Sequence, residues 1–176
     1  MKIQSVFTFA AVFCAAVGFA ADNLMPNPEF KGGTVCPNGW YAHQAAPRKL
    51  RNFSLANGVA KISQKSPSYV NMLIASVKNI AGTRKLRLAV DYKLDNLKNA
   101  AGMLYHFADS KGKNIFPARW TGLKTKMATD SWQTYSCEIE VPENAASVIV
   151  TLAVYGAPDY PDAAIMFRNP VLEKIR

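Results

Sequence analysis

Leu86-Arg87-Leu88-Ala89-Val90-Asp91-Tyr92-Lys93-Leu94 alternates apolar and polar residues without a break. A period of two sends successive side chains to opposite faces. The stretch therefore reads as a strand with Leu86, Leu88, Val90, Tyr92 and Leu94 inward and Arg87, Ala89, Asp91 and Lys93 outward. The same reading extends along the chain. Residues 59–64 follow Asn57-Gly58, a hairpin turn pair. Apolar runs at 69–77 and 102–108 read as strands, the second closed by Asp109-Ser110-Lys111-Gly112. Residues 132–141 alternate until Pro142 stops them; 148–155 alternate again, and 165–172 close the chain. Eight or more short strands with no amphipathic helix predict an all-β fold, a two-sheet antiparallel β-sandwich. A helical turn fits only within 95–101, and 116–126 reads as a long connection. The opening residues 23–30 read as a strand that meets the last one, which makes the sandwich a jelly roll. Trp40 is expected on a loop near one rim.

The ends set the domain. Lys2 is a short positive start, and residues 6–19 form an apolar run shorter than the roughly 20 residues of a membrane span. Gly18-Phe19-Ala20 fits a small-x-small cleavage signal. Residues 1–20 are expected to be a signal peptide cut after Ala20, with 21–176 a single domain of a secreted or periplasmic protein. A chain of roughly 150 residues buries a sufficient core without metal or staples. No second apolar run follows, so no membrane span is expected, and a monomer is the expected state.

Cys36 and Cys137 would then sit in an oxidising compartment, where a disulfide between them is expected. The alternative is two separate thiols, with Cys137 a small core residue. The net charge is +9, spread over short groups such as Arg84, Lys85 and Arg87 rather than in one block. Such a field favours acidic partners; for an exported chain these are acidic polysaccharide or an anionic cell surface, not nucleic acid.

The order of motifs resembles the jelly-roll carbohydrate-binding modules of bacterial endoglucanases and xylanases, within the galactose-binding-like sandwiches. Asn23-Leu24-Met25-Pro26-Asn27-Pro28-Glu29-Phe30 and Gly39-Trp40 match its opening, and residues 86–93 its central strand. Asp130-Ser131-Trp132-Gln133-Thr134-Tyr135 followed by Val141-Pro142 matches its Trp-led strand, and Ile165-Met166-Phe167-Arg168-Asn169-Pro170-Val171-Leu172 its last. The resemblance implies polysaccharide binding without catalysis. It also implies a structural calcium ion held by acidic residues after the first Phe and in the last strand. Here those places carry Lys31 and Arg168, which are unsuited to a cation that needs oxygen ligands. No metal or other cofactor is expected.

A sugar binder needs flat aromatic platforms and a few orienting polar groups. The aromatics outside the predicted core include Trp40, Tyr41, Trp120, Trp132, Tyr155 and Tyr160. Of these, Trp120, Tyr155, Tyr160 and Trp40 are the candidate platforms, with Trp40 also a candidate core plug. Arg87, Asp91 and His106, on the non-core phase of their strands, are the candidate polar groups, a solvated strand face being the plainer reading. His106, Tyr155 and Arg87 could otherwise serve a small polysaccharide lyase, and a structural or adhesion sandwich contacting proteins is the other alternative. The only histidines are His43 and His106, without metal-ligand spacing. No phosphate-loop, dinucleotide or Gly-x-Ser-x-Gly fingerprint occurs.

Overall fold

The computed structural model describes residues 22–33, 36–44, 53–63, 71–95, 101–122, 131–154 and 164–175. They contain ten strands: β1 (Tyr41–Gln44), β2 (Phe53–Ala56), β3 (Val59–Ser63), β4 (Asn71–Lys78), β5 (Lys85–Asp95), β6 (Ala101–Ala108), β7 (Asn114–Gly122), β8 (Gln133–Glu140), β9 (Ser147–Val154) and β10 (Ala164–Ile175). Two five-stranded sheets run β1-β4-β9-β6-β7 and β2-β3-β10-β5-β8, with antiparallel pairing throughout. The all-β jelly-roll sandwich expected from the alternation is therefore the fold.

Residues 86–94 lie at the centre of this arrangement as β5, and Leu86, Leu88, Val90, Tyr92 and Leu94 are all buried. They meet Phe167, Ile165 and Leu172 of β10 and the inward Val148, Val150 and Leu152 of β9 in one core. Burying each such side chain contributes about 1.5–3 kcal/mol, which makes the inward phase of these strands the main determinant of the fold.

β10 changes phase midway. Arg168 pairs with Asp91 and Val171 with Ala89, so Asn169 and Pro170 together face Val90 alone. This is a bulge, and Asn169 adopts φ 49° there. The Asn23 side chain seals it: its Nδ2 donates to the Pro170 carbonyl at 2.9 Å, and its Oδ1 accepts from the Leu172 N–H at 3.0 Å. The Leu24 N–H donates to the Leu172 carbonyl at 2.7 Å. The two ends of the domain thus meet as expected, but residues 23–30 form turns rather than a strand. Asn27 and Phe30 at positive φ bend the segment back on itself.

One rim carries tight turns. Asn57 and Gly58, at φ 49° and 75°, make the expected hairpin between β2 and β3. Asp109 Oδ1 accepts from the N–H groups of Lys111 and Lys113 to close the β6–β7 turn. The expected long connection over 116–126 is instead largely β7, an edge strand. Pro117 falls where this edge strand shifts register against β6, between Ile115 and Arg119, a place that tolerates a missing N–H. The helical turn proposed for 95–101 falls mostly outside the described residues; Asp95 ends β5 and Ala101 begins β6.

Candidate functional site

The polar trio Arg87, Asp91 and His106 is not one constellation. Arg87 and Asp91 project from the outer face of the β2-β3-β10-β5-β8 sheet, whereas His106 lies on β6 in the opposite sheet. The chain crosses from one sheet to the other between β5 and β6, so the sandwich separates the imidazole from the guanidinium. The lyase arrangement of His106 with Arg87 fails for the same reason.

Arg87 and Asp91 are engaged with their own sheet. Arg87 Nε pairs with Glu173 Oε1 at 2.5 Å, while Lys85–Glu140 and Lys61–Asp95 pair at 3.1 and 3.6 Å on the same face. Asp91 Oδ1 accepts from the Thr134 hydroxyl at 2.7 Å, and its Oδ2 from Asn169 Nδ2 at 3.0 Å and Arg168 Nε at 3.3 Å. The Arg168 guanidinium lies 4.2 Å from the centroid of the Trp132 ring. Burial pushes the Asp91 carboxyl up, but the bonds from Thr134, Asn169 and Arg168 together outweigh it and hold the group below its ordinary value of 3.8. A depressed carboxyl stabilises the fold above that ordinary value, and the contribution is lost as pH falls through the lower folded value. Asp91→Asn is therefore expected to melt lower than the parent at neutral pH and to converge with it in acid. Melting curves taken down to about pH 2 check this; a constant difference would exclude the paired carboxylate.

The outer face of the other sheet has a different chemistry. Tyr41 pairs with Ile74, Ile74 with Thr151, Thr151 with Leu104 and Leu104 with Trp120. These five positions form one row across all five strands, and cross-strand partners share a face. At about 4.8 Å per strand the row spans about 19 Å. Beside it run His43, Met72, Ala153 and Gly102 on one side, and Ser76, Ile149 and His106 on the other. Among the described residues, Lys78 at the tight-turn rim is the charged side chain on this face. Tyr41 is 63 % exposed. His106 is partly buried, and that burial lowers its pKa, so it is a neutral imidazole at neutral pH, with one donor and one acceptor nitrogen.

Trp40 is not on this face. Its ring is 6 % exposed, it packs on Phe30 at 5.2 Å between centroids, and its Nε1 donates to the Pro26 carbonyl at 2.8 Å. It is the core plug, not a platform. Because residues 40 and 41 point to opposite sides, the burial of Trp40 is what exposes Tyr41. The Trp40-Tyr41 pair carries that signal in the sequence: one ring inward leaves the next outward. Position 120 belongs to the row, while the Trp120 side chain lies outside the described residues, as do Tyr155 and Tyr160 entirely and residues 1–20, where a signal peptide is expected.

Cys36 and Cys137 are free thiols, which corrects the expected disulfide. Cys36 lies just before β1 and donates to the Trp40 carbonyl at 3.3 Å. Cys137 lies on β8, the edge strand at the other side of the sandwich. It packs against the core, and burial raises its pKa against a hydrogen bond with Tyr135.

Lys31 and Arg168, singled out by their charge, do come together. Both line a cavity of about 690 Å³ with Glu29, Asn57, Gly58 and Asn169. Among the described residues no group of His, Cys, Asp and Glu is arranged to hold a metal ion.

No protein-family model and no curated protein matches the chain. Its fold does recur in solved structures. It is similar to the enzymatically active domain of a bacteriophage CBA120 tailspike protein, with a TM-score of 0.61 and 12% identity over 78% of this chain, though it spans only 20% of that one. A family 4 carbohydrate-binding module matches with a TM-score of 0.59 and 14% identity, over 86% of this chain and 99% of the module. A family 61 carbohydrate-binding module solved with β-1,4-galactotriose matches with a TM-score of 0.56 and 10% identity, over 88% and 100%. The architecture is thus the jelly roll seen in carbohydrate-binding modules.

Proposed function

We propose that the protein is an exported, non-catalytic glycan-binding domain whose ligand lies across the β1-β4-β9-β6-β7 sheet. The observation that carries this reading is the transverse row of Tyr41, Ile74, Thr151, Leu104 and position 120, with an aromatic residue on each edge strand and a low centre where Thr151 is buried. Sugar rings present apolar C–H faces that stack on such rings, and hydroxyls that a neutral imidazole can both donate to and accept from. His43 and His106, the chain's two histidines, flank the row. Among the described residues this face carries the single charged side chain Lys78, at its rim, which favours a neutral glycan: a uronate laid across the row would lose water without gaining a cation there. The fold's occurrence in a module solved with a galactotriose supports the ligand class.

Binding is expected in the micromolar to millimolar range, about −8 to −4 kcal/mol. Affinity gel electrophoresis against neutral and acidic polysaccharides tests it. Retardation by at least one neutral glycan is the expected result. Unchanged mobility with every glycan, for protein shown to be folded, overturns the reading.

A further inference from the structure

We infer that the cavity lined by Lys31 and Arg168 is a second saccharide subsite, built for the oxyanion of an acidic sugar: a uronate carboxylate or a sulfate ester. The inference takes its ligand class from the glycan reading above, but its site is separate and lies on the other side of the domain.

The cavity, about 690 Å³, is bounded by the 29–33 segment, the Asn57-Gly58 turn and the bulge at Arg168-Asn169. That volume accommodates a sugar-sized ligand. One of its two cations is held in place. Arg168 is fixed on two sides, by the Trp132 ring at 4.2 Å from its guanidinium carbon and by Asp91 on Nε at 3.3 Å. Using Nε for Asp91 leaves the two Nη groups as a forked donor edge, the geometry that matches a planar oxyanion. A guanidinium already immobilised by stacking loses little further freedom when it binds. The bulge adds Asn169, whose Nδ2 is committed to Asp91 and whose amide oxygen is left to accept a sugar hydroxyl.

The Lys31 wall is also pinned: Asn27 Oδ1 accepts from the Lys31 N–H at 2.9 Å, and Asn27 Nδ2 donates to the Lys31 carbonyl at 2.6 Å. Lys31 pairs with Glu29, whose carboxylate also lines the cavity and opposes an anion. Both side chains are largely exposed, so the pair is weak and an incoming oxyanion can take Lys31 from Glu29. The +9 charge of the chain steers anions toward it.

Heteronuclear NMR titration of the full domain tests the site, read on the Trp132 indole N–H and the Asn169 side-chain amide. Methyl glucuronide is expected to shift both signals and methyl glucoside neither, with the affinity falling as salt rises. Arg168→Gln should weaken glucuronide binding by about tenfold or more. Lys31→Gln, at an exposed position with no packing role, should weaken it as well, and Glu29→Gln should tighten it. Inorganic sulfate binding more tightly than glucuronide assigns the sulfate ester as the source, and weaker binding assigns the uronate. Equal shifts from glucoside and glucuronide overturn the inference, as does an affinity indifferent to both Lys31→Gln and Glu29→Gln. Tyr41→Ala should leave the glucuronide shifts intact. Retardation by neutral polysaccharide without glucuronide shifts removes this subsite alone, and the reverse pattern removes the sheet-face reading alone.

Discussion

Replacing Trp40 with alanine is expected to lower the unfolding free energy by about 3–5 kcal/mol. The ring is buried against Phe30, and its indole N–H satisfies the Pro26 carbonyl. Truncation leaves a cavity beside Phe30 and strips the partly buried Pro26 carbonyl of its donor. Domains hold only about 5–15 kcal/mol in total, so the variant should melt well below the parent. Trp40→Phe keeps much of the packing and loses the hydrogen bond, at about 1–3 kcal/mol. Thermal and denaturant unfolding measure both. A Trp40→Ala protein with unchanged stability and lost glycan binding would return this residue to the ligand surface.

Tyr41→Ala should do the opposite. The side chain is mostly solvent-exposed, so its loss should change stability by about 0.5 kcal/mol or less. As an aromatic anchor at the edge of the binding row it is expected to contribute about 2 kcal/mol to the affinity, roughly a thirtyfold change in Kd. Calorimetry with the neutral glycan identified by gel retardation measures it, and Tyr41→Phe separates the ring from the hydroxyl. Wild-type affinity in Tyr41→Ala would move the ligand off this sheet.

These two neighbours show what the sequence encodes and what it withholds. Alternation at 86–94 gave the inward and outward residues of β5 correctly, because a central strand buried on one face has only one phase that keeps charge in water. It could not say which strands share a sheet. Arg87 and His106 each lie on the non-core phase of their strands, yet the crossover between β5 and β6 puts them on opposite sides of the domain. β7 is hidden in the sequence because Pro117 breaks the pattern, and the proline is acceptable where an edge strand is also irregular in register. Residues 23–30 looked extended because three of them are apolar, whereas asparagine at positive φ turns the chain. The expected Cys36–Cys137 bridge rested on compartment alone, and no local rule reports that the two thiols sit on opposite edges. The partnership of Lys31 and Arg168 in one cavity lay beyond periodicity too, since it depends on a bulge that adds one residue to β10.

That added residue has a further consequence. Inward positions of β10 are odd-numbered before the bulge, Ile165 and Phe167, and even-numbered after it, at Leu172. Parity along this strand is therefore counted through Asn169 and Pro170. Flattening the bulge at the present chain length would turn Leu172 to water and Glu173 toward the apolar interior, whereas deleting one of Asn169 and Pro170 would leave Leu172 opposite Leu88 and remove the bulge itself. Along β10 the extra residue and the bulge therefore stand or fall together.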